Sequence, residues 1–316
     1  MSFVRVVRGG GVAGVAAMVL AGVPVVAQAD KAPVPVCSSV LELDQDTINV
    51  KLCHTSDVDQ HWYSLPKEGG AYCGPATLFN VLHHFNRRKG APVRIGGGVP
   101  MTEVDPRDPA DTTETKDWLT TLGTWSKITS TGTQLSELRK AFNTATVGAR
   151  LDGWTTATGG VPSTGPNALG QSFGHQLASK LTAGPAQILY GRYKQVYGGV
   201  ERDGGHMVTV IAANYDLDTP DTIKLTVYDP ARAADKDAPT YLISQSQYQA
   251  EQVTLKKKVI HEYLRPADDP DTVKDESLTL GTWRWIERWH LTGPSYEGTT
   301  EAMVEGFNWF SMYPPQ

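Results

Sequence analysis

The strongest periodic pattern in the chain lies between residues 74 and 90. Its apolar residues repeat at helical spacing, and they are Leu78, Phe79, Val81, Leu82 and Phe85. This spacing predicts a helix with one broad apolar face. Pro75 suits the first helical turn, and a basic run followed by Gly90 is typical of a helix C-terminus. The predicted helix therefore begins next to Cys73.

Two further segments have helical spacing, and two others have the composition of loops. The predicted helices are GTQLSELRKAFNTA at 132–145 and ALGQSFGHQLASKLTAG at 168–184. The segments at 91–115 and 152–166 are rich in Gly, Pro, Thr and Asp and are predicted to be surface loops.

Past residue 185 the pattern changes to short β-rich runs separated by Gly, Asp and Pro turns. These runs are AQILYGRY (186–193), HMVTVIAANY (206–215), TIKLTVYD (222–229) and TYLISQ (240–245). An aromatic tail follows from residue 278, and core packing is favoured over a carbohydrate platform for its rings. Helices first and an antiparallel sheet second predict an α+β fold.

The N-terminal residues have the features of a signal peptide. Arg5 and Arg8 precede an apolar run, and Ala27-Gln28-Ala29 is an A-x-A cleavage site. We expect cleavage after Ala29 and a secreted or periplasmic location, with an uncleaved anchor as the alternative. The predicted divisions are a signal peptide at 1–29, an N-terminal arm at 30–58, a main domain at 59–265 and an aromatic C-terminal extension at 266–316.

Charge and composition argue against several kinds of partner. The chain has a net charge of −5, and loss of Arg5 and Arg8 with no acid changes this from −5 to −7. Such a chain does not predict nucleic-acid binding or, after signal cleavage, membrane binding. His83 and His84 are adjacent and lack ligand-spaced partners, so a solvated helix face is favoured over a metal site. No pattern indicates a cofactor or an oligomeric state.

The three cysteines become informative once export is expected. Thiols pair in an oxidising compartment, and an odd number leaves one over. Cys37 and Cys53 flank the strand-like segment SSVLELDQDTINVKL, which makes a Cys37–Cys53 disulfide the favoured pairing. Cys73 is then the free thiol. The other pairings stay open on the sequence alone.

A free thiol at a helix N-terminus is a candidate nucleophile, because the helix dipole and free N–H groups favour the thiolate. A cysteine nucleophile also needs an imidazole and a group that orients it. His206 follows two glycines at the head of one β-rich run, and Asp229 ends the next run. If these runs pair as antiparallel strands, the two side chains lie together at one edge, where they could serve Cys73.

These motifs carry a resemblance to a known family. Cys-Gly-Pro-Ala at a helix start, GGHMVTV on a strand and YDP on the next, in this order, resemble the papain-like bacterial cysteine peptidases typified by bacteriocin-leader (double-glycine) processing domains. The similarity spans roughly residues 60–232. It implies a papain-like α+β fold, with a helical N-terminal half packed on an antiparallel sheet. It also implies that Cys73 is the nucleophile, His206 the general base and acid, and Asp229 the orienting group.

One position departs from the family pattern. The family places a glutamine for the oxyanion hole about six residues before the cysteine, where this chain has Lys67. Gln60 lies 13 residues before Cys73, and a loop insertion would let it take that role. Otherwise backbone N–H groups form the oxyanion hole, or the protein is not catalytic.

The sequence therefore predicts an exported cysteine hydrolase that cleaves peptide or amide bonds of a peptide or protein substrate through an acyl-thioester. A transglutaminase-like acyl transferase would use the same three residues. A non-catalytic secreted binding protein on a peptidase scaffold is the third interpretation, supported by Lys67 at the usual glutamine position and by long insertions at residues 91–130 and 152–166.

Overall fold

A computed structural model describes residues 39–53, 55–61, 65–94, 100–101, 112–164, 170–231, 250–263, 282–298 and 300–316. The helices are α1 (Cys73–Lys89), α2 (Thr112–Trp125), α3 (Leu135–Ala145), α4 (Val147–Leu151) and α5 (Phe173–Leu181), with a 3-10 turn at Pro66–Gly69. The strands are β1 (Val40–Leu43), β2 (Thr47–Lys51), β3 (Thr155–Pro162), β4 (Ala186–Val196), β5 (Gly199–Asp216), β6 (Thr222–Tyr228), β7 (Glu251–Tyr263), β8 (Trp283–Thr292) and β9 (Thr300–Tyr313).

Six of the strands form a closed antiparallel barrel. From β4 to β9 each strand pairs with the next one along the chain. The last strand, β9, then returns to pair with the first, β4, with Gln187 opposite Asn308. Closure removes the free edges of a sheet. The remaining strands lie outside the closed part: β2 pairs with the C-terminal end of β5, β1 pairs with β2, and β3 pairs with the C-terminal half of β9.

Alternation along β5 separates two hydrophobic cores. Val208 and Val210 belong to the core that fills the barrel and reaches α5. Met207 belongs to the second core, which is built mainly from α1, α2 and α3. Thr209, also on that side, accepts a hydrogen bond from Asn80 of α1 at 3.2 Å. Successive side chains of a strand point to opposite faces, so β5 holds α1 against the outside of the barrel.

Buried and half-buried charged residues, with one tyrosine, lie together at one part of the barrel wall. We call this set the barrel ion cluster; it consists of Tyr193, Arg202, Glu262, Arg284, Arg288 and Glu305. Arg288 Nη2 lies 2.9 Å from Glu262 Oε1, and Arg284 Nη2 lies 3.0 Å from Glu262 Oε2. Arg202 Nε lies 2.6 Å from Glu305 Oε1. Ion pairs join β5 to β9 and β7 to β8, and the Tyr193 hydroxyl of β4 is hydrogen-bonded to both carboxylates.

The predicted papain-like α+β fold is wrong. The protein is mostly β and is built on the closed six-stranded barrel, not on a helical half packed on an antiparallel sheet. Four strands were missed. Most of β9 is buried without period-two alternation, β8 belongs to the stretch interpreted as an aromatic tail, β3 lies in a predicted loop, and β7 was not recognised. Closure through β4 and β9 joins distant residues, which no local pattern reports.

Other element predictions are confirmed. Helices α1, α3 and α5 and strands β4, β5 and β6 lie within or overlap the predicted segments. The start of α2 overlaps the segment 91–115 that was predicted as a loop. The predicted strand at 240–245 and the signal peptide at 1–29 lie outside the described residues. Among the described helices, none has the length and apolar content needed to cross a bilayer.

Candidate active site

Cys73 is the first residue of α1 and carries a free, half-buried thiol. The helix starts here because the next two residues, Gly74 and Pro75, suit a buried first turn. Two side chains hold this turn in place. Thr77 Oγ1 donates to the Gly74 carbonyl at 2.8 Å, and Gln187 Nε2 donates to Thr77 Oγ1 at 2.8 Å. The position of the thiol is therefore tied to strand β4.

His206 lies in β5 and meets both other predicted residues. Its Nε2 donates a hydrogen bond of 2.6 Å to Asp229 Oδ1. The pairing of β5 with β6, in which Thr209 lies opposite Tyr228, brings the residue after β6 beside His206. The Cys73 thiol is hydrogen-bonded to the same imidazole. Since Nε2 is committed to Asp229, Nδ1 is the ring nitrogen that serves the thiol.

Asp229 is a buried carboxylate with three donors. Besides His206, the backbone N–H of Ala231 donates to Oδ1 at 2.9 Å, and the Tyr296 hydroxyl donates to Oδ2 at 3.1 Å. Burial alone would raise the pKa of Asp229, but the His206 charge and these hydrogen bonds lower it below the ordinary value. The carboxylate is therefore ionised at neutral pH and fixes the orientation of the ring.

The environment also favours a thiolate and an imidazolium. Burial would raise the pKa of the Cys73 thiol, but the hydrogen bond and charge of His206, with the backbone N–H groups of Met207 and Gly74, lower it. Burial would lower the pKa of His206, but the charge and hydrogen bond of Asp229 and the contact with Cys73 raise it to about 10. Both shifts favour a thiolate–imidazolium pair.

Two tyrosines that sequence reasoning missed support this arrangement. Tyr190 lies opposite His206 in the β4–β5 pairing, and its ring packs edge-on against the imidazole at 5.7 Å between centroids. Tyr296, in the turn between β8 and β9, packs edge-on against Tyr190 at 5.5 Å. No sequence motif marks Tyr296, because its contact with Asp229 depends on how the barrel closes.

Gln60, the predicted oxyanion-hole residue, is buried near the site. Its backbone N–H donates to the Pro230 carbonyl at 2.9 Å, next to Asp229. Its Nε2 donates to the Gly70 carbonyl at 3.4 Å, three residues before Cys73, and its Oε1 is buried without a hydrogen-bond partner among the described residues. Gln60 does not line the cleft that contains Cys73. Its oxyanion role stays a prediction.

The segment before Cys73 is tightly constrained. Lys67 and Glu68 have positive φ angles of 52° and 53°, which side-chain-bearing residues rarely adopt. Gly69 follows with φ of 78°, and a Cβ atom there would lie 1.7 Å from the Gln60 carbonyl oxygen. The loop therefore packs on the Gln60 backbone. Lys67, at the position where the resemblance to the peptidases predicted a glutamine, donates to the Ser130 carbonyl at 3.4 Å.

A cleft of about 680 Å³ opens beside Cys73 and His206. It runs between the loop at 127–134, the first turns of α3, and the paired strands β3 and β9. Leu189, Met207 and Val161 give it an apolar part, and uncharged polar and charged side chains with several glycines line the rest. A thiol at the wall of such a cleft can reach a bound substrate.

His83 and His84 do not lie on a solvated helix face. Both are buried, with Thr55 Oγ1 2.9 Å from His84 Nδ1 and Arg87 Nε 3.4 Å from His83 Nε2. Within the described residues, no group of three or more His, Cys, Asp or Glu side chains is placed to hold a metal ion.

The predicted Cys37–Cys53 disulfide cannot be described, because Cys37 lies outside the described residues. Cys53 itself is buried. The pairing stays a prediction.

Comparison with models of known protein families and with curated proteins finds no match for this chain.

Proposed function

We propose that the protein is a cysteine hydrolase that cleaves amide or peptide bonds through an acyl-thioester on Cys73. The observation that carries the proposal is the hydrogen-bonded series Cys73–His206–Asp229 at the wall of a cleft. A thiolate, an imidazolium and a carboxylate that fixes the imidazolium are the groups that acyl transfer to sulfur requires. Export through the N-terminal segment is part of the proposal.

In the first step the Cys73 thiolate attacks the substrate carbonyl carbon and forms a tetrahedral oxyanion. Free N–H groups at the N-terminus of α1 are candidate donors to that oxygen, with Gln60 as a further candidate. Imidazolium Nδ1 of His206 then gives its proton to the leaving nitrogen as the C–N bond breaks. The products of this step are an amine and an acyl-thioester, with a neutral imidazole.

In the second step His206 Nδ1 takes a proton from water, and the oxygen of that water attacks the thioester carbonyl. The C–S bond breaks, the carboxylic acid product leaves, and the thiolate–imidazolium pair is restored. Asp229 keeps its charge throughout and holds the ring by Nε2–H. Tyr296 and Ala231 hold the carboxylate in turn.

Alkylation of the thiol tests the proposal directly. We expect iodoacetamide to modify Cys73 rapidly at pH 6, where an ordinary thiol is protonated, and we expect His206→Ala to slow this reaction by about 10²-fold or more. Mass spectrometry of the modified peptide, with Cys73→Ala as the control, identifies the site. A slow reaction in the wild type, or an equal rate in His206→Ala, would contradict the proposal.

Turnover completes the test. A peptide library analysed by mass spectrometry should yield cleavage products with the wild type and none with Cys73→Ala. Added amines distinguish the chemistry, because an acyl transferase would give new amides where a hydrolase gives free acids. If Cys73 is alkylated rapidly but no peptide of the library is cleaved, the hydrolase proposal is contradicted.

A further inference from the structure

The cleft beside Cys73 contains a cation that lacks an anionic partner. Apart from Cys73 and His206, the charged residues that line the cleft are Lys127, Glu137, Arg139, Arg202 and Glu305. Both carboxylates are paired: Glu137 Oε1 lies 2.5 Å from Lys140 Nζ, and Glu305 Oε1 lies 2.6 Å from Arg202 Nε. Within the described part of the chain Arg139 makes no ion pair, and its hydrogen bond is to an amide.

That amide holds the guanidinium in a fixed position. Arg139 Nη1 donates to Asn308 Oδ1 at 2.8 Å. Asn308 is fully buried, and its Nδ2 donates to the Leu135 carbonyl at 2.8 Å and lies 3.3 Å from Gln187 Oε1. A guanidinium carries five N–H donors, and Asn308 uses one of them. The remaining donors are available to a molecule in the cleft.

Gly160 provides the space for this group. It lies opposite Asn308 in the β3–β9 pairing. A Cβ atom at residue 160 would lie 2.3 Å from Arg139 Nη1, which is an overlap. The guanidinium therefore packs on the backbone of β3 where no side chain is present, next to the Asn308 amide that fixes it.

The surroundings favour an anion at this position. Burial lowers the pKa of Arg139, so a negative group close by would offset the cost of keeping the guanidinium away from water. The first residues of α3, Gln134 to Ser136, line the same cleft and present the positive end of the helix dipole.

We propose that Arg139 binds a carboxylate of the substrate, so that the cleft selects peptides with an acidic group near the bond that Cys73 attacks. This inference rests on the proposed hydrolase function. The planar fork of a guanidinium matches a carboxylate through two parallel hydrogen bonds. The carboxylate comes either from the C-terminus of the peptide or from an Asp or Glu side chain.

The first test uses thiol reactivity and needs no turnover. Cys73 is alkylated with N-iodoacetyl-glycine and with its carboxamide, and with the corresponding pair built on glutamate and glutamine, which reaches further along the cleft. We expect at least one carboxylate reagent to react about tenfold faster than its amide partner, because hydrogen bonds to charged groups contribute that much. Arg139→Gln should bring the ratio close to one.

Two variants serve as comparisons in that experiment. Arg139→Lys keeps the charge but loses the two parallel N–H donors of the guanidinium, so it should retain only part of the preference for the carboxylate reagent. If Arg139→Gln does not fold, the ratio measured for Arg139→Lys decides the test. Lys256→Gln removes an equal charge from an exposed residue of β7 outside the cleft lining and should leave the ratio unchanged. Equal rates for every reagent pair in the wild type, or a ratio that Arg139→Gln leaves intact, would overturn the proposal.

The second test uses peptide cleavage and separates the two carboxylate sources. The value of kcat/KM is measured for two pairs of peptides. One pair differs in having a C-terminal acid or a C-terminal amide, and the other in having an internal Glu or Gln. A preference for the acid member of either pair that Arg139→Gln abolishes identifies the source. Cleavage without any acid preference would contradict the Arg139 proposal alone. A carboxylate preference in alkylation with no peptide cleaved would contradict the hydrolase proposal and leave the Arg139 site standing.

Discussion

Asp229 and Glu262 are two buried carboxylates in the same barrel, and they are held by different kinds of partner. Asp229 receives His206, a backbone N–H and the Tyr296 hydroxyl. Glu262, in the barrel ion cluster, receives Arg284, Arg288 and the Tyr193 hydroxyl, which donates at 2.9 Å. Each carboxylate thus has a cation and a tyrosine, and the decisive difference is whether the cation can release a proton.

An arginine does not give up its proton in a protein, so the cations beside Glu262 have no proton to transfer. Burial would lower the pKa of Arg288, but the charges of Glu262 and Glu305 and the hydrogen bond to Glu262 raise it. The imidazole beside Asp229 has its pKa raised to about 10, which is within reach of titration. The same carboxylate chemistry therefore stabilises the wall in one place and prepares a proton transfer in the other.

Asp229→Asn should have the largest effect, because it removes the negative charge that distinguishes this site. The neutral amide no longer holds the imidazolium, so the pKa of His206 falls and the Cys73 thiol keeps its proton at neutral pH. We expect kcat/KM at pH 7 to fall by about 10²- to 10⁴-fold, the range that general acid–base catalysis contributes. Peptide cleavage, or iodoacetamide alkylation as its substitute, measures the loss.

The pH profile of this variant is the sharper measurement. In the wild type the alkaline limb reports loss of the imidazolium and should lie near pH 10, since activity needs the protonated ring and the ring deprotonates above its pKa. In Asp229→Asn that limb should move to lower pH. An unchanged alkaline limb would show that Asp229 does not set the charge of His206.

Glu262→Gln tests the other carboxylate, through stability. Loss of the charge leaves Arg288 buried without its hydrogen-bonded anion, which typically costs about 3–5 kcal/mol, and leaves Arg284 without its partner. Urea unfolding followed by tryptophan fluorescence measures the free energy of unfolding. The rate of Cys73 alkylation should change less than twofold under conditions where the variant is folded.

Glu301→Gln is the matched control for that experiment. Glu301 pairs with Lys258 at the surface, and exposed ion pairs contribute about 1 kcal/mol or less. Equal destabilisation by the two substitutions would mean that the barrel ion cluster does not hold the wall together.

Tyr296→Phe should have the smallest effect. It removes one of the three donors to Asp229 and keeps the ring that packs on Tyr190. A single hydrogen bond contributes about 1 kcal/mol, so we expect kcat/KM to fall by about tenfold or less. Loss of the hydroxyl should raise the pKa of Asp229 and move the acidic limb of the profile upward. A profile identical to that of the wild type would remove Tyr296 from the site.

Local patterns predicted much of the secondary structure and little of its assembly. Helix α1 was predictable because its apolar spacing, Pro75 and Gly90 all lie within one segment. Strand β9 was not, because most of it is buried and it therefore lacks alternation. The papain-like fold failed for the same reason, since the pairing of Gln187 with Asn308 that closes the barrel joins residues far apart in the sequence.

The candidate site divides in the same way. The sequence predicted that His206 and Asp229 would be neighbours, because two strands joined by a short turn bring them together. Tyr296 and Arg139 were missed, because each meets a partner that lies far away in the sequence, on an element that no local signal places beside it. From the sequence it was possible to predict the chemical roles of single residues and one contact within a hairpin.

The pairing of β4 with β9 has a consequence for the time course of folding. His206 and Asp229 belong to one hairpin and can meet early, since short loops close quickly. Gln187, which helps to fix the first turn of α1, meets Asn308 across the β4–β9 pairing, and we expect this pairing to form last because it joins residues far apart in the sequence. A refolding chain should therefore regain its sheet signal before its thiol becomes reactive. The newly made protein would stay latent until the barrel closes.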